Sequence, residues 1–352
     1  MNEPGASRNP PPDIHAAGGP IPGRQAGTAP QAPVATGVPR GSAAIEINDV
    51  APRDGLQIEP VFVPTDAKVA LVDALSACGF ARIEVTSFTS AKAIPALADA
   101  EAVMQRIARR PGTIYTCLVP NLRGMERALA SRADELNLVM SASETHNRAN
   151  LRMTREQSAA QLDAMLRAAQ EAGVPCTVSL STSFGCPFEG EVAAAEVLRL
   201  ARRFADSGAA GITLCDTTGM AYPTQVADLC ERTARALPAV PLTVHLHDTR
   251  GMALANALAA WQSGIARFDA SAGGLGGCPF APGASGNVNT EDLVHMFDCM
   301  GVDTGVALEP LLAIIATLPE LVQRPLSSRL LAAGPRLRTH PAPAWLAGHF
   351  GD

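Results

Sequence analysis

The sequence predicts an α/β protein of the (β/α)8 TIM barrel class, with a disordered N-terminal tail and extra C-terminal helices. Three observations carry this prediction. Eight short runs rich in β-branched and apolar residues alternate with longer helix-like segments over roughly 250 residues, the repeat of a parallel barrel. Several of the longer segments stop on glycine, as in SACGF, AQEAGV and ADSGAAG, where a helix needs a left-handed residue to end. The first strand runs into APRDGLQ, not into the Gly-rich phosphate turn that opens a doubly wound sheet.

Taken in order, the predicted strands are Ala44–Val50, Arg82–Thr86, Thr113–Val119, Glu135–Met140, Pro175–Ser181, Gly211–Cys215, Leu242–Leu246 and Arg267–Ser271. Between them, Pro64–Cys78, Thr154–Ala172, Ala193–Ser207 and Pro223–Ala236 carry apolar residues at i, i+3 and i+4, as amphipathic helices do. After Asn287, DLVHMFDCM and PLLAIIATLPELV read as further helix that closes the barrel or covers its mouth. Residues 1–42 are rich in Pro, Gly and Ala with few large apolar side chains, so burial cannot offset the entropy of ordering them. The barrel domain is expected over 43–331 and an irregular Pro-rich tail over 332–352.

The formal net charge of −6 and the scattered Lys and Arg leave no basic face for nucleic acid. No run of about twenty apolar residues offers a membrane span. None of the eight cysteines forms a C-x-x-C pair, which argues against a structural zinc site. With no apolar signal segment ahead of the domain, the thiols are expected to be reduced in the cytoplasm.

Barrel enzymes place chemistry at the C-terminal ends of their strands. The polar residues expected there are Arg53, Asp54 and Gln57 after the first strand, Glu84 and Ser87 at the second, Asp216 at the sixth, His245 and His247 at the seventh, and Cys278 and Asn287 after the eighth. In TVHLHDT, His245 and His247 lie two apart on a strand and project to the same face. Two imidazoles and a carboxylate suit a divalent cation and leave positions open for substrate. Asp54 is the natural carboxylate, although alone it would read as a turn residue before Gly55. Glu84 is a lone acid within an apolar strand and must be paired; Arg53 is the expected partner. In GGLGGCPFAPGASGN, the glycines suit a mobile lid with Cys278 at its tip, where a thiol could donate a proton.

The motifs PRDGLQ, IEVTSF, HLHDT-x-G-x-ALAN and GLGGCPFAPGASGN-x-x-TED, in that order, resemble the 3-hydroxy-3-methylglutaryl-CoA lyase family, within the acyl-CoA lyase, synthase and aldolase barrel superfamily. The resemblance covers roughly residues 45–328, and the joint occurrence of four ordered motifs is far more specific than any one alone. It implies a carbon–carbon lyase that cleaves an acyl-CoA substrate to acetyl-CoA and acetoacetate, as in leucine degradation and ketone-body formation. It also implies Mg²⁺ or Mn²⁺ held by Asp54, His245, His247 and Asn287, with catalytic roles for Arg53, Asp54, Glu84, His245 and Cys278. Gln57, Ser87, Thr213 and Asp216 join Arg53 as implied substrate-binding residues, and a homodimer is implied.

The chain departs from the family pattern in VAPRDG with Ala51, CDTTG with Cys215 and Thr218, HDTRG with Arg250, and SASETHNRANL beyond its Ser-Glu. No departure removes an implied ligand. They put the acyl group in doubt before the reaction class, so cleavage of a citramalyl- or methylmalyl-type CoA is the first alternative. A condensing enzyme of the isopropylmalate-synthase type is the second. A barrel that has lost catalysis and serves as a scaffold is the third.

Overall fold

The computed structural model describes residues 43–277 and 286–343. Eight parallel strands, numbered here β1 to β8, close into one barrel in sequence order: Glu46–Asp49, Arg82–Ser87, Ile114–Leu118, Glu135–Ser141, Cys176–Ser181, Gly211–Asp216, Leu242–Leu246 and Arg267–Ala270. The expected strands all form, with ends shifted by two residues at most. The closing pair is β1 with β8, in the register Glu46↔Arg267 to Asp49↔Ala270.

The predicted helices form as Thr65–Ala77, Arg155–Ala172, Ala194–Asp206 and Pro223–Ala236. The Arg155–Ala172 helix shows how local sequence sets its ends. The Thr154 hydroxyl accepts from the Gln157 amide, the Gln157 side chain accepts from the Thr154 amide, and Gly173 ends the helix at φ 69°. Its buried face of Ala159, Leu162, Met165, Leu166 and Ala169 packs against the barrel, each fully buried Leu contributing about 1.5–3 kcal/mol of transfer free energy. Beyond the barrel come the helices Thr290–Cys299, Leu308–Ile315, Leu318–Val322 and Arg329–Ala333. The last extends into the stretch expected to be irregular, and no regular structure follows over 334–343. No helix among the described residues is long and apolar enough to cross a membrane. The tail at 1–42 and the final residues 344–352 lie outside the described residues.

Parallel closure matters because it brings the C-terminal ends of all eight strands to one face. A polar cavity opens at the other end, where the strands begin. Glu46, Arg82, Glu135 and Arg267 line it, and it reaches inward to Asn48, Asn137, Thr213 and Asp269.

Candidate active site

β7 carries His245 in register with Cys215 of β6 and Asp269 of β8. His247 follows two residues later, just past the strand. A returning segment holds it there: Val288 donates to the Leu246 carbonyl at 2.9 Å, and the Asp248 amide donates to the Gly286 carbonyl at 3.0 Å. The same pairing sets His247 opposite Asn287 in an isolated bridge. The two imidazoles lie with ring centroids 5.1 Å apart and Nε2 atoms 3.1 Å apart.

Asp54 arrives from across the barrel seam. It follows the first strand, as expected, but not as a loop residue: β1 stops at Asp49 and the chain makes one wide helical turn, Ala51–Gly55. The Arg53, Asp54 and Gly55 amides all donate to the Val50 carbonyl, at 3.2, 2.8 and 3.1 Å. That turn points Arg53 and Asp54 into the site together. Ligand atoms of Asp54, His245 and His247 all lie within 4.8 Å of one another, and all three residues are buried.

The donor set fits a divalent cation. Neighbouring ligands of an octahedral ion at about 2.1 Å stand about 3 Å apart, which matches the 3.1 Å between the imidazole nitrogens. Burial would raise the Asp54 carboxyl, but Arg53, the two histidines and a hydrogen bond from Asn287 outweigh it and hold it down at about 2. Burial, reinforced by neighbouring His245, pushes His247 down to about 3, so its imidazole is neutral. Both are the forms that bind metal. Buried His247 Nδ1 has no hydrogen-bond partner among the described residues; the contact of this ring is through Nε2, 3.1 Å from His245 Nε2.

Arg53 sits between two carboxylates. Its Nε donates to Glu84 Oε2 and its Nη1 to Asp54 Oδ1, each at 2.6 Å. Burial works against the guanidinium charge, and these carboxylates outweigh it, raising Arg53 above its ordinary value. Glu84 is held in turn by Asn137 Nδ2 at 2.8 Å, and Asn137 Oδ1 accepts from Ser179 at 2.8 Å. The ion pair expected for the lone acid of β2 is therefore present. Gln57 joins through Nε2 to Asp54 Oδ1 at 2.7 Å. Asn287 joins as a donor, with Nδ2 at 2.7 Å from Asp54 Oδ2 and 3.0 Å from the Leu275 carbonyl. Gly276 makes room for this approach: at φ +106° a Cβ there would stand 2.6 Å from Asn287 Nδ2 and 3.1 Å from the Asp54 carbonyl.

Other expected residues have other partners. Ser87, buried at the end of β2, bonds Thr89 Oγ1 at 2.8 Å. Thr213 lies two residues below Cys215 on β6 and lines the cavity at the opposite end of the barrel. Asp216 accepts from the Met220 and Ala221 amides at 2.7 and 3.1 Å, tying the loop after β6. Burial lifts its carboxyl to about 6 against those two amides. Cys278 lies outside the described residues. Arg250, a departure from the family pattern, clasps the same loop through the Thr218 and Gly219 carbonyls at 3.2 and 2.7 Å. Asp269 and Asn137 were missed in the sequence. The available signal was the one that exposed Glu84, a polar residue inside an apolar strand run.

Comparison with known proteins agrees with this geometry. A family profile described as HMGL-like matches residues 44–318. The chain is 46% identical over 287 residues to hydroxymethylglutaryl-CoA lyase of Bacillus subtilis, spanning 82% of this chain and 96% of that protein. It is 42% identical over 302 residues to (R)-citramalyl-CoA lyase of Chloroflexus aurantiacus, spanning 83% of this chain and 95% of that one. Among solved structures, an HMG-CoA lyase from Acinetobacter baumannii in complex with coenzyme A and 3-methylmalate superposes with a TM-score of 0.82 at 47% identity, over 86% of this chain and 98% of that one. The strand order, the mouth chemistry and these similarities together establish that the chain belongs to the HMGL-like family.

Proposed function

We propose that this protein is a divalent-metal-dependent carbon–carbon lyase that cleaves 3-hydroxy-3-methylglutaryl-CoA to acetyl-CoA and acetoacetate. The observation that carries the reading is the buried Asp54, His245 and His247 cluster, with Arg53 locked beside it by Glu84. Membership of the HMGL-like family supports the reaction class.

In this retro-Claisen reaction the tertiary hydroxyl at C3 loses its proton, the C2–C3 bond breaks, and its electron pair moves to the thioester as an enolate. A bound Mg²⁺ or Mn²⁺ supplies Lewis acidity that makes the hydroxyl more acidic. Asp54 and His245 stand at the cluster as candidates to accept that proton. Asn287 completes the proposed ligand set if its amide turns its oxygen inward from its present donation to Asp54. Arg53, with Nε and Nη2 on Glu84 and Nη1 on Asp54, is proposed to stabilise the enolate oxygen with the N–H groups those carboxylates leave over. Glu84 holds that guanidinium in place. Gln57 from its contact with Asp54, Asp216 through the loop it ties, and Ser87 are proposed to shape the substrate-binding region, while Thr213, at the opposite end of the barrel, is left out of it. Cys278 is proposed to deliver or orient the proton that converts the enolate to acetyl-CoA. A homodimer in the cytoplasm belongs to the same reading. Family resemblance supports the dimer, and the seven free cysteines among the described residues suit a reducing compartment.

Chelation tests the proposal. Treatment with EDTA is expected to abolish release of acetoacetate from 3-hydroxy-3-methylglutaryl-CoA, and Mg²⁺ or Mn²⁺ to restore it. Full turnover by metal-stripped protein would refute the metal-dependent mechanism. The 42% identity to the citramalyl-CoA lyase, with Cys215, Thr218 and Arg250 around the mouth, favours one second reading, a citramalyl-type substrate. A panel of CoA thioesters separates the two: turnover of citramalyl-CoA with none of the methylglutaryl substrate would select the second.

A further inference from the structure

Two polar residues inside the barrel have no part in the mechanism above, yet one touches a proposed metal ligand. Asp269 on β8 accepts from His245 Nδ1 through Oδ2 at 3.2 Å. Its other oxygen, Oδ1, accepts from Asn48 Nδ2 on β1 at 2.9 Å. Both contacts follow the strand register, Asn48↔Asp269 and Asp269↔His245. Partners in register on a parallel sheet project to the same face, so the three side chains form one rung across β1, β8 and β7. Strands set their spacing, which holds a geometry more tightly than loops do.

The chemistry of the rung has a direction. A carboxylate oxygen facing an imidazole nitrogen accepts its N–H, so the contact with Asp269 turns Nδ1 to the rung and Nε2 toward His247 and Asp54. Asn48 takes the second oxygen and stops the carboxylate from rotating. Asn48 Oδ1 is itself buried with no partner among the described residues, beside the polar cavity at the strand starts. His247 provides the contrast, since its Nδ1 has no such clamp among the described residues.

We infer that Asp269 and Asn48 are positioning residues that fix the tautomer and ring orientation of His245, so that the centre is formed before the ion arrives. Carboxylate partners of metal-bound imidazoles act in this way, and losing one weakens metal binding by about 10- to 100-fold. The inference rests on the metal-centre reading above, and its test separates the two.

The experiment is calorimetric titration of the full-length protein with Mn²⁺, comparing wild type, Asp269→Ala, Asp269→Asn, Asn48→Ala and the Asn48→Ala, Asp269→Ala double variant. The Kd of Asp269→Ala is expected to rise about 10- to 100-fold. The Asp269→Asn effect is expected to be smaller, because an amide oxygen still accepts from His245 Nδ1 and its NH2 can meet Asn48 Oδ1 once that amide turns. Asn48→Ala is expected to weaken Mn²⁺ binding without lowering the melting temperature of the metal-free protein, a split that a purely structural role would not produce. The double variant should bind no more weakly than Asp269→Ala, since Asn48 acts through Asp269. A folded Asp269→Ala with a Kd within about twofold of wild type overturns the inference, given the loss expected for such a partner. So does a double variant whose loss is the sum of the singles. Should Asp269→Ala fail to fold, Asp269→Asn and Asn48→Ala carry the same comparison. Failure of the wild type to bind Mn²⁺, or undiminished binding by Asp54→Ala, overturns the metal centre itself.

Discussion

At the scale of single residues, the site depends on side chains whose partners leave them no freedom. Arg53 has Nε and Nη2 on Glu84 and Nη1 on Asp54, so its guanidinium plane is held in one orientation beside the cluster. A lysine in its place keeps the charge and loses both the fork and the bidentate hold. Arg53→Lys should therefore lower turnover by about 10²–10³-fold, the scale of losing a preorganised oxyanion donor, with an unchanged circular dichroism spectrum. Near-normal turnover would make the Arg53–Glu84 pair structural. That pair was legible because an unpaired carboxylate in an apolar strand is too costly to leave alone. Asp269 obeys the same rule but stands just ahead of Ala-Ser-Ala-Gly-Gly, where an aspartate reads equally well as a turn residue. Asp216 shows the converse. It reads as a site acid, yet the Met220 and Ala221 amides claim its carboxylate.

At the scale of elements, local signals did most of the work. Glycine stops and period-3.6 patterns located the helices because capping and burial act within a few residues of each other. The capping box that opens Arg155–Ala172 gives a direct check. Thr154→Ala removes the acceptor for the Gln157 amide and should lower unfolding free energy by about 1 kcal/mol, measured by urea titration, with turnover unaffected. No change in midpoint would mean that packing of the buried face alone sets where this helix begins. The turn Ala51–Gly55 was less legible. Its three amides converge on the single Val50 carbonyl, and no periodic pattern announces a segment of one turn. Its consequence is large, since it sets Asp54 on a helical turn beside Arg53.

At the scale of the whole molecule, barrel closure brings the two ends of the domain together. Asp49 stands at the seam and accepts from the Ala51 amide at 2.9 Å, the Ala272 amide at 3.1 Å and the Thr290 hydroxyl at 2.8 Å. Burial lifts its carboxyl from 3.8 to about 7, helped by nearby Glu291 and opposed by those three donors. Below about pH 4 both folded and unfolded chains hold this proton. Between there and pH 7 only the folded chain does, so this contribution to stability is lost as pH rises through that window. Asp49→Asn has no proton to lose. The stability of wild type relative to the variant should therefore fall from pH 4 to pH 7, by on the order of a few kcal/mol in urea unfolding. A difference independent of pH would mean that Asp49 is ionised throughout.

The sequence by itself determined the alternation of strands and helices, and with it the barrel. It also determined the kinds of side chain at the mouth, because periodicity and residue chemistry are local properties. Only the tertiary structure decided which of those side chains meet. Asn48 and Asp269 are 221 residues apart, and Asp54 and Asn287 are 233 apart. Nothing local encodes such encounters. They exist because β1 pairs with β8, and the register of that closure chooses which acid faces which histidine.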